Sequence, residues 1–241
     1  MNPATIRLNR TRYPVEVLGH GRRLALWTQG CPLACKGCMS VDTWEPDEGE
    51  EHRIADLSAF WQGCLDDGAD GLTVSGGEPL TQPVALRALL DEVDVARRRR
   101  PGHYADILVY TGYELHELDE TQLAALEHVD VLIAGRYEAD KPTRLPWRGS
   151  ANQAPHLRTA EAEERYAERI GTPAERPEMQ VYLRHDGQLV LVGIPGPGDL
   201  ARLERALRVA GMTIESTTWR RRPPSRRRPQ RDRSNDKEPE T

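Results

Sequence analysis

The sequence has no run of 18 or more apolar residues, and its opening, MNPATIRLNRTRYPVEV, carries no apolar stretch of the kind a secretory signal needs. Neither a membrane span nor export is expected, and the cytoplasm is the expected compartment. Histidine and cysteine are sparse. The seven histidines are scattered without a pair at metal-ligand spacing, and there are four cysteines in 241 residues. Hydrophobic residues still make up 38% of the chain, enough for the core of one domain of ordinary size with something attached.

Charge is unevenly spread. The formal net charge is −5, yet residues 220–241 hold nine basic and four acidic side chains, a balance of +5 that leaves −10 for the rest. The run RRRPPSRRRPQRDR has no apolar periodicity and no means of burying surface, so residues 213–241 are expected to form a disordered tail. No aromatic residue interleaves with its arginines, which favours a solvated extension over nucleic-acid contact.

Three of the four cysteines fall inside eight residues: Cys31, Cys35 and Cys38 in GCPLACKGC. A structural zinc site usually takes four ligands in two pairs, and a 4Fe-4S electron carrier takes four thiolates. Three thiolates on such a cluster leave one iron open to bind a cofactor or substrate. The fourth cysteine, Cys64, sits on the apolar face of a helical pattern with Ile54, Leu57, Trp61 and Leu65, and is expected in the core.

Short apolar runs at Leu24–Trp27, Leu72–Val74, Ile107–Tyr110 and Val131–Ala134 alternate with helical patterns, including one that Asp119 and Gln122 can start with a capping box. This order predicts an α/β fold of repeated βα units around a parallel sheet, with ligands at the carboxyl ends of the strands. The cysteine loop follows the first strand, Ser75-Gly76-Gly77-Glu78 the second, Thr111-Gly112-Tyr113 the third and Gly135-Arg136-Tyr137-Glu138 the fourth. Gly76 and Gly77 would let backbone approach a ligand, and Glu78 would accept from an ammonium group. The acidic run Glu45–Glu51 reads as a solvated loop.

Cys31-x3-Cys35-x2-Cys38 followed by Gly76-Gly77-Glu78 resembles the radical S-adenosylmethionine superfamily. With Gly19-His20-Gly21-Arg22-Arg23, Tyr110-Thr111-Gly112-Tyr113-Glu114-Leu115 and Trp147-Arg148-Gly149-Ser150-Ala151-Asn152-Gln153, the stretch from about residue 10 to 158 resembles the activating proteins of anaerobic ribonucleotide reductase. The resemblance implies a partial, open (βα) barrel over residues 1–160. Cys31, Cys35 and Cys38 would hold a 4Fe-4S cluster, with S-adenosylmethionine on its open iron. Gly37, Met39, Gly76, Gly77, Glu78, Thr111 and Gly112 would bind that cofactor. It also implies reductive cleavage to a 5′-deoxyadenosyl radical, with a flavodoxin or ferredoxin as electron donor. The radical's target would be a glycine of a partner glycyl-radical enzyme, and no general acid or base is needed. An enzyme acting on another peptide or a small molecule would share all of these residues. Arg148, Ser150 and Asn152 carry no derivable role beyond a structural turn.

Beyond residue 160 the resemblance ends. Residues 161–178 read as a polar linker, and 179–212 as a ββα appendage. In the appendage, Met179–Leu183 and Leu189–Val192 would flank a turn at Asp186-Gly187, and a helix would run from Asp199 to Gly211.

Overall fold

The computed structural model describes residues 4–100, 102–176, 178–183, 189–213 and 217–219. Four strands, β1 (Thr5–Val15), β2 (Arg23–Thr28), β3 (Glu50–Arg53) and β4 (Gly71–Gly76), open the fold, with helix α1 (Ile54–Asp66) between β3 and β4. Helix α2 (Pro83–Arg98), β5 (Asp106–Thr111), helix α3 (Glu120–Ala125), β6 (Val131–Ala134) and β7 (Ala154–Leu157) follow. These strands form one sheet in the order β3-β1-β2-β4-β5-β6-β7. The four expected strands, β2, β4, β5 and β6, are its parallel centre.

The edges differ from a pure βα repeat, because β1, β3 and β7 all pair antiparallel. Part of the acidic run is therefore strand rather than loop: Glu50 and Glu51 pair with Leu8 and Arg7, and Arg7 also bonds the Glu51 carboxylate at 2.7 Å. An edge strand tolerates such charge because its outer face meets water.

Alternation along the central strands builds two cores. Leu24, Leu26, Leu72, Val74, Ile107, Val109 and Leu132 point to the face covered by α1, α2 and α3, where Trp61, Leu89 and Leu126 are buried with them. The intervening residues Leu108, Val131 and Ile133 point the other way. There they meet Trp147 and helix α4 (Ala160–Ile170), which contributes Ala162, Tyr166 and Ile170. Residues 161–178 are thus not simply a linker. Three apolar side chains spaced four apart give α4 a buried stripe, and Thr159 caps it by accepting from Ala162 N at 3.2 Å.

The same face is extended by β8 (Met179–Leu183) and β9 (Leu189–Gly193), an antiparallel pair whose Val192 is buried with Val15, Ala25 and Trp27. Helix α5 (Asp199–Val209) follows, with Gly211 just beyond it at φ +80°. The expected turn at Asp186-Gly187 lies outside the described residues, as does the tail from residue 220. Thr217–Trp219, within the stretch expected to be disordered, are held against the body: Thr218 O accepts from Val41 N at 2.8 Å. Among the described residues no helix is long and apolar enough to cross a membrane.

At the amino ends of the parallel strands, Arg23 and Asp106 form an ion pair at 2.5 Å, both fully buried. Tyr166 of α4 joins them, donating to Asp106 and accepting from Arg23, each at 3.1 Å. The carboxyl ends carry the loops that matter for function.

Candidate cluster and cofactor site

The cysteine loop leaves β2 at Thr28. Its ends are tied, Gly30 N donating to Thr43 O at 2.8 Å and Cys31 N to Trp44 O at 3.0 Å. Inside it, Cys38 N donates to Cys35 O and Ser40 N to Cys38 Sγ, while Gly37 takes φ +81°. Cys31, Cys35 and Cys38 are free, half-buried thiols that line one cavity of about 870 Å³, together with Gly37 and Met39. Burial pushes the Cys31 and Cys38 thiols above their ordinary range, so a nearby cation is what would make them thiolates.

Among the described residues, no group of three or more His, Cys, Asp or Glu is arranged to hold a metal ion. A four-iron cluster puts each thiolate on a different iron, which asks for a wider arrangement than one ion does. Three thiols in one cavity are a donor set suited to such a cluster with one iron left open.

The turn after β4 also lines the cavity. Its glycines also answer a constraint from this chain's own backbone. A Cβ on Gly76 would stand 2.3 Å from Thr28 N, and one on Gly77 2.3 Å from Gly30 O. Close stitching of the two strand ends is the reason, since Gly77 N donates to Thr28 O and Glu78 N to Gly30 O, both at 2.8 Å.

Glu78 is 1% exposed, and its carboxylate is already engaged. One oxygen accepts from Leu80 N at 3.0 Å and Thr111 Oγ1 at 2.9 Å, the other from Gly112 N at 2.7 Å. Thr111 and Gly112 thus meet Glu78 directly, clamping the end of β5 to the end of β4. Three of roughly four acceptor positions are filled, leaving room for one donor from a ligand. Burial raises the Glu78 carboxyl above the usual carboxylate range, against the pull of those three donors.

The segment at 147–153 is a brace. Gln153 accepts from Gly149 N at 2.7 Å and donates to Gly135 O at 3.0 Å. Ser150 Oγ accepts from Glu138 N at 3.1 Å, Asn152 donates to Arg136 O at 2.8 Å, and Arg148 donates to Ile170 O. These bonds fix the loop after β6 and tie it to the end of α4, which is the turn role expected for Arg148 and Asn152. Cys64 is 2% exposed in the helix-side core, with its thiol raised to about 11 by burial, and has no place at the site.

A further part of the cavity's lining comes from residues 193–204 and 218–219, and no sequence motif there marks it in advance.

The family described as a 4Fe-4S single cluster domain matches residues 17–156, which contain all ten candidate site residues. The anaerobic ribonucleoside-triphosphate reductase-activating protein of Haemophilus influenzae is 40% identical over 152 residues, covering 60% of this chain and 94% of that protein. The chain belongs to this activating-protein family. Its relatives of the same name include those of Escherichia coli, 35% identical with the same coverage, and of phage T4, 34% identical over 58% of this chain and 88% of that protein. Among solved structures, QueE from Escherichia coli superposes with a TM-score of 0.38 at 19% identity, over 54% of this chain and 70% of that one. For this activating-protein family member, the residues past the matched stretch are an addition to a nearly complete family body.

Proposed function

We infer that the protein is a radical S-adenosylmethionine enzyme that activates anaerobic ribonucleoside-triphosphate reductase by forming a glycyl radical on it. The observation that carries this reading is the convergence of three free thiols with the Gly76–Glu78 and Thr111–Gly112 strand ends on one cavity, in a chain that spans 94% of its Haemophilus relative. Cys31, Cys35 and Cys38 would hold the 4Fe-4S cluster. Glu78 would take the cofactor's ammonium at its remaining acceptor position, with Gly37, Met39, Gly76, Gly77, Thr111 and Gly112 forming the surrounding walls. When bound, the cluster and S-adenosylmethionine supply one-electron chemistry that yields a radical able to take a hydrogen atom from a glycine.

The chain's own part is ligation, orientation and exclusion of water, and no side chain has to act as a general acid or base. The open sheet over residues 1–160 is read as the partial (βα) barrel of such enzymes, with 179–212 appended. A flavodoxin or ferredoxin in the cytoplasm fits as the source of the electron.

Anaerobic reconstitution with iron and sulfide, followed by dithionite and S-adenosylmethionine, should yield 5′-deoxyadenosine. A fully loaded cluster that gives none would overturn the reading. Cys35→Ala should abolish the reconstituted cluster's absorbance while Cys64→Ala keeps it, and the reverse pattern would refute the ligand assignment.

A further inference from the structure

Part of the cavity's lining comes from residues late in the sequence: Ile194, Gly196, Gly198, Glu204, Thr218 and Trp219. None of these lies in the family match, which ends at residue 156. Because 60% of this chain accounts for 94% of the Haemophilus protein, that relative has no residues to close its cavity from this side in the same way.

The wall is anchored at both ends. At one end β8–β9 seats on the body: Tyr182 Oη donates to Pro14 O at 2.8 Å, Glu16 N donates to Gln180 at 2.7 Å, and Val192 is buried. At the other end Thr218 O accepts from Val41 N at 2.8 Å and Asp42 N at 3.4 Å, three and four residues beyond Cys38. Trp219 Nε1 donates to Glu204 of α5 at 2.9 Å, and Glu204 is only 5% exposed. Between these anchors, Gly193-Ile194-Pro195-Gly196-Pro197-Gly198, three glycines and two prolines among six residues, lines the cavity. Glycine permits the close approach, and proline removes backbone donors that would otherwise need partners.

We propose that this added wall selects the protein target, converting the cavity into a slot that admits a slim, extended, glycine-bearing main chain. Exclusion by shape is how such a wall discriminates, since a loop fitted to a cavity without it meets backbone that cannot move aside. The proposal rests on the activase reading above and concerns the protein target alone.

The test uses the full-length reconstituted protein and the anaerobic ribonucleoside-triphosphate reductase of Haemophilus influenzae, with the Haemophilus activating protein as control. Two quantities are read: affinity for the fluorescently labelled reductase, and glycyl-radical spins per reductase by electron paramagnetic resonance. Relative to the control, this protein should bind about tenfold more weakly or worse and give correspondingly fewer spins, while still forming 5′-deoxyadenosine. Trp219→Ala and Glu204→Gln, which unhook the wall, should recover binding. Equal affinity and spin yield in the unmodified protein would overturn the proposal. So would variants with unchanged thermal melting whose binding stays weak. Absence of 5′-deoxyadenosine from a loaded cluster counts against the activase reading instead, and the affinity measurement still decides the role of the wall.

Discussion

At the scale of single residues, Glu78 bears the most. Its carboxylate accepts from two backbone N–H groups and a threonine hydroxyl, so Glu78→Ala should cost about 1–3 kcal/mol for each of these buried donors left bare. Urea unfolding of the apo protein measures this. The raised carboxyl also sets a pH dependence. The folded state keeps this proton to higher pH than the unfolded chain, so the stability it contributes is full below the ordinary glutamate value of about 4.3 and is lost as pH rises through the folded value. A Glu78→Gln protein should show a flatter profile of unfolding midpoint across that mildly acidic window, and an unchanged slope would contradict the assignment. The three cysteines stood out as candidates because they fall within eight residues, and Glu78 because it closes the short run Gly76-Gly77-Glu78. What Glu78 does was not legible, since its partners Thr111 and Gly112 stand 33 and 34 residues away and only the parallel pairing of β4 and β5 brings them together.

At the scale of elements, α4 shows where composition misleads. Residues 160–170 hold six charged side chains among eleven, AEAEERYAERI, and read as solvated, yet the stripe of Ala162, Tyr166 and Ile170 covers the second core. Tyr166 also completes the buried Arg23–Asp106 pair. Tyr166→Phe should therefore destabilise by about 1–3 kcal/mol, because buried Asp106 loses a donor while the ring remains. Thr159→Ala should cost about 1 kcal/mol through the lost cap. Equilibrium denaturation of each variant checks both figures, and additivity is expected to fail if the helix frays when uncapped. The four central strands were legible because buried parallel strands are short unbroken apolar runs. The antiparallel edges were not, since β1 is largely polar and β3, EEHR, is wholly so.

At the scale of the whole molecule, the sheet is covered on one face by α1–α3 and on the other by residues that follow the family match, α4 and β8–β9. A chain ending at residue 158 would uncover two apolar patches, Leu108, Val131 and Ile133 in one and Ala25 and Trp27 in the other, surface of the kind that drives association. Such a truncation should bind 8-anilinonaphthalene-1-sulfonate strongly and elute as aggregate in size-exclusion chromatography, whereas the full chain should do neither.

The cavity's lining joins residues 31–44 to residues 193–204 and 218–219, which come much later in the polypeptide. During synthesis the thiols emerge well before the later residues that line the cavity with them. Shelter for an oxygen-sensitive cluster therefore forms after the loop that carries the thiols, so the loading machinery meets either an open, accessible loop during translation or a finished enclosure after it.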